Sequence, residues 1–180
     1  TLKIPFVIRE MEQADAKLIM AQKAAEYIKD NDVIFLDASS SAFNLIPYLS
    51  CKKNLTVITS GVKALTKLSE YSIKTISTGG ELLPSCLSLV GDEAYQNIER
   101  FHADITFFSC RGLSYDGRLT DISAPENYVR QKMIRHSERA FLLCASEKIG
   151  KTYYHNLCTT KDISGVISEV ALESASFDSL

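Results

Sequence analysis

The stretch Val33-Ile34-Phe35-Leu36-Asp37-Ala38-Ser39-Ser40-Ser41 constrains this chain more than any other. Four successive apolar residues of β-branched and aromatic type predict a strand buried on both faces, the kind found in a parallel sheet. An acid and three hydroxyls follow at once, and then a helical pattern begins through Ala42, Leu45, Ile46 and Leu49. Strand, short polar turn and helix start together can seat an anion, because the first amides of a helix have no intrahelical acceptor and the dipole favours negative charge. Ser40 or Ser41 could cap that helix and still offer a hydroxyl to a ligand. Read alone, the serines are equally well explained as caps and turn formers.

The same unit recurs. Ala14 to Lys29 has helical spacing, with Leu18, Ala21, Ala25 and Ile28 on one stripe and Lys17, Lys23, Glu26 and Lys29 elsewhere. Leu55 to Ile58, Ile73 to Ile76, Ala103 to Cys110 and Ala140 to Ala145 read as further strands, with helices through Leu65 and Leu68, from Asp92 to Arg100, and from Pro125 to about Ser137. Weaker strands fall near Leu157 and over Gly165 to Ser168, and Asp116-Gly117 marks a turn. The expected fold is α/β, a mostly parallel sheet with helices on both faces. Two regions are less regular. Glu81 to Leu89 is broken by Pro84, with a short strand possible over Cys86 to Val90. Thr1 to Glu12 alternates (Leu2, Ile4, Phe6, Ile8) and reads as extended, while residues past Glu173 read as frayed.

With 180 residues, 46% of them hydrophobic and 23% charged, the chain is expected to be one globular domain over 1–180. A net charge of −2 offers no footprint for nucleic acid. No apolar run reaches the roughly eighteen residues a membrane helix needs, and the start has no secretory core. The five cysteines (Cys51, Cys86, Cys110, Cys144, Cys158) never form a C-x-x-C pair, so a reducing cytoplasm is expected and zinc is not. Cys110 and Cys144 read as small buried hydrophobes. His102, His136 and His155 lack metal-ligand spacing. No dinucleotide or phosphate-loop fingerprint is present, so no cofactor is expected.

In an open parallel sheet, ligands bind beyond the carboxyl ends of the strands. The residues gathered there are Asp37, Ser39, Ser40, Ser41, Thr59, Ser60, Thr78, Gly79, Gly80, Ser109 to Gly112 (with Arg111), Ser146 and Lys148. The set is rich in hydroxyls, glycines and basic donors and poor in acids, which suits a small, hydroxylated anion. Each member alone is also an ordinary turn residue. Asp121 and Glu126 could act as general bases, but Glu126 beside Pro125 is equally an acid in a first helical turn. Asp104, inside a strand pattern, suggests a structural hydrogen bond.

Taken together these stretches resemble the sensor half of DeoR-type bacterial sugar-operon repressors, over about Arg9 to Val170. The resemblance rests on residues 34–42, on 55–60, on Thr78-Gly79-Gly80 with Gly91, on residues 103–108 with Gly112 and Gly117, and on residues 146–150. It implies a fold related to ribose-5-phosphate isomerase and glucosamine-6-phosphate deaminase, a phosphorylated sugar as effector, and a homo-oligomer (dimer or tetramer). It also implies an N-terminal winged helix-turn-helix, missing here, as the route to DNA; the chain reads as a piece of a longer protein. Where the family reads Asp-Ser-Gly-Thr-Thr this chain has Asp37 to Ser41, with Ser39 in place of glycine, a change that bears on how tight the anion nest is. The family's Thr-Asn becomes Thr59-Ser60, and its Asp-Ser-Ser-Lys becomes Ala145-Ser146-Glu147-Lys148. Similar isomerases carry Thr-Arg-Glu-Lys where this chain has Val129-Arg130-Gln131-Lys132, and a glutamine cannot shuttle a proton. A sensor is therefore expected, with an isomerase-like enzyme and a ligand-free oligomerisation module as alternatives.

Overall fold

The apolar run after Asp32 forms β1 (Val33–Leu36), a central strand of a six-stranded parallel sheet. The computed structural model describes residues 4–172. Strands β2 (Thr56–Thr59) and β3 (Lys74–Ser77) extend the sheet to one side of β1. On the other side lie β6 (Ala103–Phe108), β9 (Ser137–Leu143) and β11 (Gly165–Ile167), giving the order β11-β9-β6-β1-β2-β3. The chain thus winds outward from β1 in one direction and then restarts at β6 in the other. That reversal opens a crevice between the ends of β1 and β6.

Burial follows the expected alternation. Ile34 and Leu36 pack into one cluster with α2 (Ala14–Ala25), α3 (Ser40–Leu49) and α4 (Val62–Glu70). Phe35 points the other way, against Ile98 of α5 (Asp92–Glu99) and Val129 and Met133 of α6 (Ala124–Arg135). All three strand residues are fully buried, so helices cover both faces. Cys110 and Cys144 are buried in a third cluster, and burial pushes the Cys144 thiol up to about 11. Asp104 accepts a hydrogen bond from the Val33 amide at 2.7 Å; the bond is as expected, but the residue is exposed.

Three segments differ from the sequence expectation. The alternating start is not extended: α1 (Phe6–Met11) begins at Pro5, whose φ of −55° pre-sets the turn, and only Phe6 of this helix is buried. An alternation of so few residues does not distinguish strand from helix; Leu2 and the frayed tail fall outside the described residues. In α2 the stripe is rotated, with Leu18 at 47% exposure and Lys17 buried, because α1 folds back and the Lys17 ammonium donates to the Arg9 carbonyl. The region around Pro84 is a hairpin, β4 (Glu81–Leu83) with β5 (Ser88–Val90). It caps the end of β2 through Leu89 N to Ser60 O at 2.8 Å and Val62 N to Leu87 O at 3.0 Å. A second small sheet, β10-β8-β7, joins β7 (Gly112–Leu113), β8 (Arg118–Asp121) and β10 (His155–Thr159) around the Asp116-Gly117 turn.

Gly80 holds this hairpin against α5. Its φ is +104°, and a Cβ there would lie 2.4 Å from the Val90 carbonyl oxygen and 2.9 Å from the Ala94 Cβ. Gly80→Ala is expected to lower stability by about 2 kcal/mol or more through strain and overlap. Urea denaturation measures this; an unchanged midpoint would show that position 80 carries no such constraint.

Candidate functional site

The polar turn after β1 is held from beneath by Asp37. One carboxylate oxygen accepts from the Ser39 amide at 3.1 Å and from its hydroxyl at 2.5 Å. The other accepts from the Ser109 amide at 3.1 Å and from Arg130 Nε at 2.9 Å. Arg130 reaches up from α6 and also donates through Nη1 to Asp121 at 3.1 Å and Asn127 at 3.1 Å. All of these groups are buried. Burial opposes the charge on Asp121, yet the nearby Arg130 guanidinium overrides it and holds the carboxyl below its ordinary range. Burial likewise works against the Arg130 charge, but Asp121, Asp37 and Glu126 together hold it firmly protonated. This knot ties the ends of β1, β6 and β8 to α6.

Above the knot lies a cavity of about 500 Å³, at the β1/β6 reversal. From β1 come Ser39, Ser40 and Ser41; from the end of β6, Ser109, Cys110 and Arg111; from beyond β9, Ala145, Glu147 and Lys148. Ile122, Ser123, Glu126 and Arg130 form another wall, and Arg9, Glu12, Gln13 and Lys17 close the cavity from the N-terminal helices. Basic side chains outnumber acidic ones on its surface. Ser39 caps α3 by accepting from the Ala42 amide at 3.1 Å, which leaves Ser40 and Ser41 as the first helical residues facing the cavity. The cap is therefore Ser39 and not Ser40 or Ser41. Its φ of −72° is one any residue adopts, so glycine is not required where Ser39 stands.

Lys148 is held with its ammonium 3.2 Å from the Ser109 hydroxyl and 3.0 Å from the Cys110 carbonyl. Burial, helped by the Lys148 charge and opposed by Glu12, pulls the Lys17 ammonium down to about 8. Glu147 stands at the rim and accepts from Gln13 at 3.1 Å. Among the described residues, four buried polar side-chain atoms have no hydrogen-bond partner, and three of them (Arg9 Nε, Ser123 Oγ, Glu126 Oε1) belong to residues lining this cavity. A single pocket that gathers such atoms is poised for a polar guest.

Of the residues gathered from the sequence, Ser39, Ser40, Ser41, Ser109, Cys110, Arg111 and Lys148 line the cavity together. Asp37 lies behind the turn with its oxygens spent on Ser39, Ser109 and Arg130. Thr59, Ser60, Gly79, Gly80 and Gly112 are not on its wall. The β4–β5 hairpin bonds the Ser60 carbonyl and crowds Gly80 through the Val90 carbonyl, and the Lys151 carbonyl crowds Gly112, 2.5 Å from where a Cβ would stand. Ser146 turns away, its amide and hydroxyl donating to Glu169. Acids are better represented than expected, since Asp121, Glu126 and Glu147 are all present. Arg9, Lys17 and Arg130 are the residues sequence reasoning passed over, and Glu126, weighed there as a general base or an ordinary first-turn acid, stands in the wall. The only signal that joins Glu126 to Arg130 is their i, i+4 spacing, which places them on one face of α6.

An open parallel sheet with a cationic cavity at its reversal point defines an α/β domain, and solved structures share the fold. eIF2B delta from Chaetomium thermophilum matches with a TM-score of 0.68 at 15% identity, over 92% of this chain and 60% of that one. Ribose 5-phosphate isomerase A from Methanocaldococcus jannaschii matches with a TM-score of 0.56 at 16% identity, over 74% and 53%. At such identities the likeness is one of fold. Sequence goes further: the DeoR C terminal sensor domain matches residues 12–170, and the chain belongs to that family. Its relatives include the uncharacterized HTH-type transcriptional regulator YulB of Bacillus subtilis, 34% identical over 99% of this chain and 69% of that protein. The L-fucose operon activator of Haemophilus influenzae is 32% identical over 93% and 67%. The chain thus spans about two thirds of the length of these relatives.

Removing one member of the buried knot leaves the others unpaired. Arg130→Met is expected to cost about 3–5 kcal/mol of folding stability, read from the denaturation midpoint. In the double variant with Asp37→Asn the two losses should fall well short of additive. Simple additivity would show that the pair does not act as a unit.

Proposed function

We propose that this domain is the effector-binding part of a transcriptional regulator and that it takes a phosphorylated sugar or sugar-derived metabolite into the cavity at the β1/β6 reversal. The observation that carries the reading is the meeting of the α3 N-terminus, at Ser40 and Ser41, with Lys148 and Lys17 around one cavity. Amides of a helix start and ammonium groups suit a phosphate, and the hydroxyl-lined wall suits a polyol. Asp37, Thr59, Ser60, Gly79, Gly80 and Gly112 support the site from outside the wall, and Ser39 both caps the helix and borders the ligand. Occupancy is read out through a DNA-binding portion of a longer, homo-oligomeric protein working in the cytoplasm. Family membership and the names of the relatives support that role, and the relatives include activators as well as repressors. No helix among the described residues is long and apolar enough to cross a membrane.

An isomerase on the same fold is the second reading, favoured by one observation, the Glu126 carboxylate in the cavity wall. Against it, Gln131 cannot shuttle a proton, and its amide donates to the Leu157 carbonyl at 2.8 Å. Turnover of ribose 5-phosphate or another aldose phosphate, lost in Lys148→Ala, would favour the enzyme. A third reading, an oligomerisation module that binds nothing, is separated by ligand titration.

Thermal shift against phosphorylated hexoses, pentoses and the free sugars tests the proposal. A ligand at roughly 100 times its Kd stabilises the folded state by about 2.7 kcal/mol, and Lys148→Ala should remove most of that shift. No shift from any of these compounds would leave the module as the reading.

The Lys17 ammonium adds a pH dependence. An anion favours the charged form, so binding takes up a proton once that group has begun to ionise. A phosphate ester is already fully charged above its second pKa of about 6. Affinity should therefore hold between about pH 6 and pH 8 and fall as pH rises through about 8. Calorimetric titration at pH 7 and pH 9 checks this, and Lys17→Met should flatten the profile.

A further inference from the structure

Two buried oxygens on the cavity wall have no hydrogen-bond partner among the described residues. Glu126 is 6% exposed on the first turn of α6, and its Oε1 has no hydrogen-bond partner. Ser123 is 3% exposed at the N-cap position of the same helix, yet its hydroxyl makes no capping bond and is also unpartnered. Both residues line the cavity. A buried carboxylate oxygen without a donor is costly, and one on a cavity wall is placed to be completed by a donor that enters the cavity. The charges around Arg130 point the same way. That one guanidinium faces Asp37, Asp121 and Glu126. It bonds Asp37 and Asp121 directly, and each also takes backbone amides. Glu126 is the surplus acid.

We propose that Glu126 and Ser123 form a specificity-determining corner that accepts hydrogen bonds from donor groups on the carbon skeleton of the ligand, while Ser40, Ser41, Lys17 and Lys148 take its anionic end. The inference rests on the reading of the cavity as a phosphorylated-sugar site and adds what that reading lacks, a reason for a carboxylate in an anion pocket. The ligand is bipolar: an anion at one end and hydroxyl or amino donors at the other. A bare anion gains nothing from Glu126 and is repelled by it. A deoxygenated skeleton leaves the carboxylate unmet, and discrimination against such an analogue is steep because the loss is of a buried polar partner.

The test uses the 180-residue chain with inorganic phosphate, pentose 5-phosphates, hexose 6-phosphates and hexosamine 6-phosphates. Wild type is expected to bind at least one sugar phosphate more tightly than inorganic phosphate. In Glu126→Gln that advantage should shrink at least about tenfold, while phosphate binding holds or improves. The ligand-free melting temperature should stay level or rise, because a surplus buried charge has gone; a merely structural glutamate would lower it. Ser123→Ala should reduce the same advantage less. Selective loss of hexosamine phosphates assigns the donor as an amine, and equal loss across the panel assigns hydroxyls. Sugar-phosphate binding in Glu126→Gln equal to wild type overturns this assignment alone. So does unfolding of Glu126→Gln when Ser123→Ala binds as wild type. If neither phosphate nor any sugar phosphate binds wild type, the reading of the cavity falls and this corner with it.

Discussion

The Arg130 guanidinium, set between Asp37 and Asp121, is the interaction on which the rest of the site depends. It joins side chains 93 and 9 residues apart in sequence and does so out of water. Buried ion pairs of this kind contribute little net stability compared with a well-packed apolar core, because each charge loses its hydration. What the knot contributes is position. Asp37 fixes the turn that aims α3 at the cavity, Arg130 fixes Asp37, and α6 carries Arg130 in a helix packed against the sheet through Val129 and Met133. The turn that opens α3 is thus held by the core and not by the loop that forms it.

The local field differs from what the bulk composition suggests. A net charge of −2 describes a mildly acidic molecule, yet the cavity wall is weighted toward Arg and Lys. Low dielectric and neighbouring Lys148 make the Lys17 ammonium easy to discharge. The field inside the cavity is therefore set by where a few cations are confined, and whole-chain charge gives little guide to it.

Much of the architecture was legible because a parallel sheet writes itself as short apolar runs. Phe35, Phe107 and Leu142 needed no partner to be recognised as buried. The serine turn, Arg111 and Lys148 were legible for a related reason: strand ends are where such folds place ligands. What escaped was everything set by distant chain. Lys17 reads as a solvated helix charge until α1 folds over it, and six alternating or near-alternating residues do not reveal that α1 is a helix. Thr59, Ser60, Gly79 and Gly80 stand at strand ends like the others but lie off the cavity wall, and the hairpin around Pro84 packs against Ser60 and Gly80. Glu126 and Arg130 sit one helical turn apart and face inward, which only the packing of α6 reveals. Attention fell on Gln131, the neighbour that points elsewhere.

The sheet order has a consequence for the newborn protein. β1 is the first strand of the sheet to be made, but its neighbour β6 follows some seventy residues later, and Arg130 and Lys148 later still. While the ribosome is adding those residues, the serine turn has nothing beneath it and no opposite wall. Contacts this far apart in sequence form slowly and late. A chain whose synthesis has not reached Lys148 consequently lacks one wall of this cavity.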